Sequence, residues 1–161
     1  MDKFKPLPEL RRTIAAARAN GRTIVLANGC FDLFHVGHIR YLRAAKALGD
    51  LLVVAVNSDS SVRKLKGAGR PILSQRERVE ILCAFSFVDY VTTFREPTVS
   101  RVLLALKPDV HAKGSDYTRE TVPERETVKS YGGRVAIVGG PKVRNTSQVI
   151  RDIASRAAKE T

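Results

Sequence analysis

Two of the chain's three histidines stand three residues apart, as His35-Val36-Gly37-His38, just behind the run Asn28-Gly29-Cys30-Phe31-Asp32. Imidazoles at the first turn of a helix donate hydrogen bonds to oxyanions and can follow charge as it grows on a leaving group. Gly37 between them allows backbone or ligand to come close. The same residues have other uses. His35 and His38 could join Cys30 in a zinc site, although no fourth ligand is evident nearby, or they could cap the helix and pack in the core. The run is neither the three-glycine dinucleotide fingerprint nor a P-loop, because no Gly-Lys-Ser/Thr follows.

Such a segment works only if a strand and a helix hold its two ends, and the flanking pattern predicts both. Thr23–Ala27 reads as a short buried strand, and helical spacing runs from Val36 through Leu48 to a stop at Gly49. Leu51–Val56 is a second, fully apolar strand of the kind found in parallel sheets. Ser74 and Glu77 form a capping-box signature for a helix to about Ala84. Further strands are expected at Val88–Thr92, Asp109–Ala112 and Val135–Val138. Helices are expected from Pro97 to Leu106, from Thr121 to Ser130, and from Thr146 or Ser147 to about Ala158. An earlier helix, with Pro8, Leu10, Ile14 and Ala17 at helical spacing, stops at Asn20-Gly21. Strands alternating with helices imply an α/β, Rossmann-like, doubly wound five-stranded parallel sheet with helices on both faces and ligands at the carboxyl ends of the strands. Residues 1–22 are then a helical extension packed on a nucleotide-handling domain of residues 23–161, one domain overall.

Composition narrows the choice of partner. The 161 residues are 43% hydrophobic and carry 28 Lys+Arg against 16 Asp+Glu, a net charge of +12. That apolar fraction excludes a disordered basic tail. The longest apolar run, Leu51–Val56, is far too short to span a bilayer, and Met1–Glu9 lacks the apolar centre of a secretory signal. Two cysteines, Cys30 and Cys83, make no disulfide framework, so a reducing cytoplasm is the expected compartment. Nucleic acid, an anionic membrane surface or a charged small substrate would each explain the basic excess. Its densest block is Arg63, Lys64, Lys66, Arg70, Arg76 and Arg78, opposed only by Glu77. Gly67, Gly69 and Pro71 make part of that block read as a mobile loop.

The segment from Asn28 to His38 resembles the signature of the nucleotidyltransferase superfamily with the His-x-Gly-His motif, which includes the cytidylyltransferases. Within it, the resemblance is strongest to the D-glycero-β-D-manno-heptose 1-phosphate adenylyltransferase (ADP-heptose synthase) family of lipopolysaccharide biosynthesis. Asn28-Gly-Cys-Phe-Asp32, Ala55-Val-Asn-Ser-Asp59, Lys64-Leu-Lys66-Gly67 with Arg70-Pro71, and Lys113-Gly-Ser-Asp116-Tyr117 carry it, over about Thr23–Ile153. The resemblance implies that His35, His38, Lys64 and Lys66 act on the triphosphate, the two lysines from a flexible loop that orders over it. It implies that Asn28, Gly29, Cys30, Phe31, Gly37, Arg78, Arg144, Asn145, Thr146 and Ser147 bind nucleotide. Asp32, Asp59, Arg95, Lys113 and Asp116 become candidates for binding the second substrate. His111 has no role to transfer and is read as structural.

The implied reaction joins AMP from ATP to a sugar 1-phosphate, with Mg²⁺ carried by the nucleotide and no protein metal site. A cytidylyltransferase acting on glycerol 3-phosphate or another polyol phosphate is the alternative within the superfamily. Arg95, near the place of a substrate-binding lysine in the glycerol-phosphate enzymes, leans toward it, and Asn145-Thr146-Ser147 departs from the family's Ser-Thr-Thr-like segment. A basic nucleic-acid-binding module with an inactive nucleotide site is the alternative of another class. Four Tyr, six Phe, no Trp and no recognised RNA-binding signature argue against a nucleic-acid partner. The expected partners are small molecules, with no membrane association and with a homodimer as an option.

Overall fold

The computed structural model describes residues 2–141 and 146–158. In chain order the elements are α1 (Leu7–Ala19), β1 (Ile24–Gly29), α2 (Val36–Lys46), β2 (Leu51–Asn57), α3 (Asp59–Lys66), α4 (Gln75–Ala84), β3 (Tyr90–Phe94), α5 (Ser100–Leu106), β4 (Val110–Gly114), α6 (Arg125–Ser130), β5 (Arg134–Val138) and α7 (Thr146–Ala157). The strands form one sheet in the order β3-β2-β1-β4-β5, with every pairing parallel. The fold is the Rossmann-like parallel sheet that the alternation of elements predicts.

Both faces of the sheet are covered, and the pleat decides which residue serves which face. Val25 and Ala27 of β1, with Leu52, Val54 and Val56 of β2, pack against Leu42 and Ala45 of α2 and Val79 and Leu82 of α4. Their neighbours Ile24, Leu26, Val53 and Ala55 point the other way, onto Leu10 and Ile14 of α1, Val102, Leu103 and Leu106 of α5, and Val128 of α6. Alternation of side chains along a strand, with both faces dry, explains why these strands read as continuous apolar runs.

Residues before β1 are stitched to the rest. Phe4 makes a parallel bridge to Val91 on the outer side of β3. Lys5 N donates to Val91 O and Val91 N to Lys3 O, both at 2.9 Å. Arg18 Nη2 donates to Leu106 O at 2.9 Å and also reaches Lys107 O. A cation there meets the negative end of the α5 dipole.

Several boundaries differ from the sequence expectation; α5, for one, starts at Ser100 and not at Pro97. The basic block is partly helical, because α3 carries Arg63, Lys64 and Lys66, starts on the Ser58 side chain and ends at Gly67, whose φ of 92° suits a residue without Cβ. β3 runs from Tyr90 to Phe94, two residues later than expected. α6 starts only at Arg125, after a turn in which Thr118 N donates to Thr121 Oγ1.

Candidate active site

The chain passes from β1 outward to β2 and β3, then returns to lay β4 on the other side of β1. At such a reversal the connections leave toward opposite faces, and a crevice opens at the carboxyl ends of the two central strands. Here it is a cleft of about 700 Å³. Asn28, Gly29, Cys30, Phe31, Asp32, His35, Gly37, His38, Lys66, Lys113, Asp116, Thr146 and Ser147 all line it.

The β1–α2 turn is held in an unusual shape. Phe31 and Leu33 have φ of 51° and 42°, a left-handed conformation that costs a non-glycine residue about 1–2 kcal/mol. Packing holds it. Phe31 is buried, its ring lies 5.3 Å from that of His38 and 6.5 Å from that of Tyr41, and it fills the space where a Cβ on Gly29 would sit, 3.2 Å away. Asp32 is 1% exposed, and its carboxylate accepts from Arg70 Nε at 2.7 Å, Leu73 N at 2.9 Å and Ile72 N at 3.0 Å. Burial raises its pKa, but the bonds from Leu73, Ile72 and Arg70 outweigh that and hold it below the usual carboxylate value. Asp32 therefore clamps residues 70–73 against the turn. At the far side, Thr146 Oγ1 at the start of α7 donates to Asp32 O at 2.7 Å.

The two histidines sit at the amino end of α2. Their rings are 3.8 Å apart and nearly parallel, and His35 N donates to His38 Nδ1 at 3.4 Å. That bond leaves the proton of neutral His38 on Nε2. Burial, reinforced by His35, pushes the pKa of His38 down to about 3, and burial lowers that of His35. Both are neutral donors at pH 7. His35 Nδ1 is buried and has no hydrogen-bond partner among the described residues. Neutral N–H groups beside the α2 amino terminus form a surface for an oxyanion.

A family model described as cytidylyltransferase-like matches residues 26–155. The chain belongs to that family. It is 47% identical over 154 residues, 96% of its length, to the bifunctional protein HldE of Syntrophotalea carbinolica, and 48% identical over 154 residues to the bifunctional protein HldE of Pelobacter propionicus. It spans about a third of the length of these relatives, 31% and 32%. Among solved structures it is similar to a lipopolysaccharide core biosynthesis protein from Thermoplasma volcanium, with a TM-score of 0.63 and 32% identity over 77% of this chain and 100% of that one. A pantoate-β-alanine ligase from Francisella tularensis has the same fold, with a TM-score of 0.62 at 15% identity over 89% of this chain and 68% of that one.

Four expected contacts fall elsewhere in this cytidylyltransferase-like domain. Arg78 is fully buried, and four of its five N–H groups are given to Cys30 O (2.6 Å), Asn57 O (2.8 Å), Leu73 O (3.1 Å) and Asp59 Oδ1 (2.7 Å). It ties the site together from outside the cleft lining. Asp59 is correspondingly the partner of Arg78, not a residue of the cleft wall. Lys64 is exposed outside the cleft, because two residues along a helix turn it some 200° from Lys66. Arg95 lines a separate depression of about 330 Å³ with Ser58, Gln75 and Arg101. Asp32 lines the cleft, but the clamp already occupies its carboxylate. Arg144 and Asn145 lie outside the described residues.

Arg70, Tyr41 and Glu124 line the cleft although the sequence assigned them no role in the site. Arg70 lines the wall with Nε held by Asp32. Tyr41 OH donates to Ala112 O at 2.8 Å and joins α2 to β4. Glu124 is 4% exposed beside Lys113. His111, read as structural, is fully buried with Nε2 3.0 Å from Asn28 Oδ1.

Proposed function

We propose that the chain is a nucleotidyltransferase that moves AMP from ATP to a sugar 1-phosphate, D-glycero-β-D-manno-heptose 1-phosphate, giving ADP-heptose and pyrophosphate. The observation that carries this reading is the neutral histidine pair at the amino end of α2, open to a cleft at the sheet's reversal point. The resemblance of Lys113-Gly-Ser-Asp116-Tyr117 and its companion motifs to the ADP-heptose family supports the choice of acceptor. So does the likeness to a protein described as acting in lipopolysaccharide core biosynthesis.

In the reaction, an oxygen of the sugar phosphate attacks the α-phosphorus of ATP and forms a new P–O bond. The bond from that phosphorus to the α–β bridging oxygen breaks, and pyrophosphate leaves with the electron pair. The nucleophile is already ionised near neutral pH, so no general base is required. Catalysis is then positioning plus stabilisation of charge on the leaving group. The N–H groups of His35 and His38 supply part of that stabilisation, Lys66 and Arg70 bring positive charge, and Thr146 and Ser147 close the phosphate end of the cleft. Among the described residues no group of three or more His, Cys, Asp or Glu side chains is placed to hold a metal ion. In this reading Mg²⁺ travels with the triphosphate, supplies further charge neutralisation there, and takes few ligands from the protein.

A matrix of ATP, CTP, GTP and UTP against heptose 1-phosphate and glycerol 3-phosphate, followed by pyrophosphate release, tests the reading. Turnover with ATP and heptose 1-phosphate above every other pair is expected. Preference for CTP with glycerol 3-phosphate would replace it with the polyol-phosphate alternative. Nucleic-acid affinity with no pyrophosphate from any pair would favour the binding-module alternative.

A further inference from the structure

The two ends of the cleft differ in chemistry. One end carries the donors and cations His35, His38, Lys66 and Arg70, with the Asp32 carboxylate already engaged by Arg70 and by backbone N–H groups. The other lies between the segment that follows β4 and the segment that follows β3, and it contains a carboxylate. Glu124 is 4% exposed and lines the cleft. Its Oε1 accepts from Val99 N at 3.5 Å, at the limit for a hydrogen bond. Its Oε2 is buried and has no hydrogen-bond partner among the described residues.

The nearest cation does not satisfy it. Lys113 Nζ stands 3.9 Å from Glu124 Oε2, beyond hydrogen-bonding distance. Lys113 is itself 6% exposed, gives one long bond of 3.4 Å to Asn28 Oδ1, and lies 4.4 Å from the centre of the Tyr117 ring. An ammonium has three donors, so this one also has bonds left to give. Asn28 cannot turn to help, because its Oδ1 is within 3.0 Å of His111 Nε2 in the floor of the cleft. A buried acceptor and a buried donor, each short of a partner, thus belong to two neighbouring residues of the cleft lining.

A phosphate only accepts hydrogen bonds, and Glu124 repels it. A hydroxyl both donates and accepts. A hydroxyl that reaches between the two groups can donate to Glu124 Oε2 and accept from Lys113 Nζ, which stand 3.9 Å apart. We propose that Glu124 and Lys113 form a hydroxyl-recognising subsite that engages a sugar hydroxyl of one substrate and makes that hydroxyl a condition of binding. The inference rests on the nucleotidyltransferase reading, in which both substrates carry sugars. Glu124 becomes a specificity residue at the end of the cleft away from the phosphates. The ribose of the nucleotide and the acceptor sugar share the required chemistry.

The test measures KM for both substrates in the wild type and in Glu124→Gln, using ATP, 2′-deoxy-ATP and 3′-deoxy-ATP, and acceptor sugar phosphates lacking one hydroxyl each. The substitution is expected to raise KM at least tenfold for one substrate, with the other within about twofold. The analogue of that substrate lacking the recognised hydroxyl is expected to bind the wild type as weakly as Glu124→Gln binds the parent. It should lose nothing further in the variant. Whichever series shows this behaviour, nucleotide or acceptor, identifies the sugar. Unchanged KM values, or equal losses for parent and deoxy compounds, would overturn the subsite. Because Glu124 is buried, the wild-type series stands alone if the variant fails to fold: single-deoxy analogues all binding within twofold of their parents would overturn it equally. If the wild type releases pyrophosphate from no pair, the reaction reading fails and takes the subsite with it; turnover with indifferent KM values removes the subsite alone.

Discussion

Arg78 Nη1 donates to the carbonyl oxygen of Cys30 at 2.6 Å and to that of Asn57 at 2.8 Å, so one guanidinium nitrogen joins the ends of the two neighbouring strands β1 and β2. Nε holds Leu73 O and Nη2 holds Asp59, which adds the clamp segment and the start of α3 to the same point. An arginine in a motif next to a phosphate site invites a catalytic reading, yet here its work is to hold together the parts that bind. Arg78→Met is expected to cost about 3 kcal/mol, since it leaves buried carbonyls without donors. In a chain of this length that is a fall of roughly 6–12 °C in the thermal midpoint. Thermal unfolding measures it. A raised nucleotide KM with an unmoved midpoint would return Arg78 to the ligand.

The histidine pair is expected to behave in the opposite way. His35→Ala and His38→Ala each remove a donor that matters most in the transition state, and turnover should fall about 10²-fold or more. The thermal midpoint should fall less than in Arg78→Met, with His38→Ala also losing the ring contact to Phe31. Steady-state pyrophosphate release set beside melting curves makes the comparison, and near-normal turnover in both variants would sink the assignment.

Lys64 and Lys66 separate cleanly. Only Lys66 lines the cleft, and Lys64 projects from another side of α3. Lys66→Ala is expected to lower kcat/KM about tenfold through a lost charged contact to phosphate. Lys64→Ala should change it less than twofold. Equal losses from both would show that α3 rearranges when the triphosphate binds.

Acid stability provides a test of the buried floor. Burial, with Lys113 adding to it, pushes the pKa of His111 down to about 3 from an ordinary value of 6.5. Between those values the unfolded chain binds the proton and the folded chain does not. The stability linked to His111 is therefore complete above pH 6.5 and declines as pH falls toward 3, by up to about 1.4 kcal/mol per pH unit. His111→Asn should flatten that slope in denaturant titrations run from pH 7 to pH 4. An unchanged slope would mean that the imidazole is protonated inside the fold.

Much of this was visible in the sequence, and the omissions have physical causes. The strands of the sheet were legible because both of its faces are dry, which leaves apolar runs such as Leu51–Val56 with turn residues at their ends. The α4 capping box was legible because Ser74 and Glu77 satisfy each other within one turn. α3 was not, because its eight residues hold only two apolar ones, Val62 and Leu65, and only Ser61 and Val62 are buried. The start of β3 was missed because its pairing with β2, not its own composition, decides where it begins. Arg78 and Glu124 draw their roles from partners far along the chain, Cys30 for the one and Val99 for the other, and no local spacing encodes them.

The bridge between Phe4 and Val91 has a consequence for handling the protein. β3 is a terminal strand of the sheet, and residues 3–5 occupy its outer side through two main-chain hydrogen bonds. Peptide groups left open along such a strand are a template on which another molecule can add. Trimming the chain back to α1 would bare that template. Residues 3–5 cover one side of that edge, and their removal is expected to increase self-association, which light scattering reads.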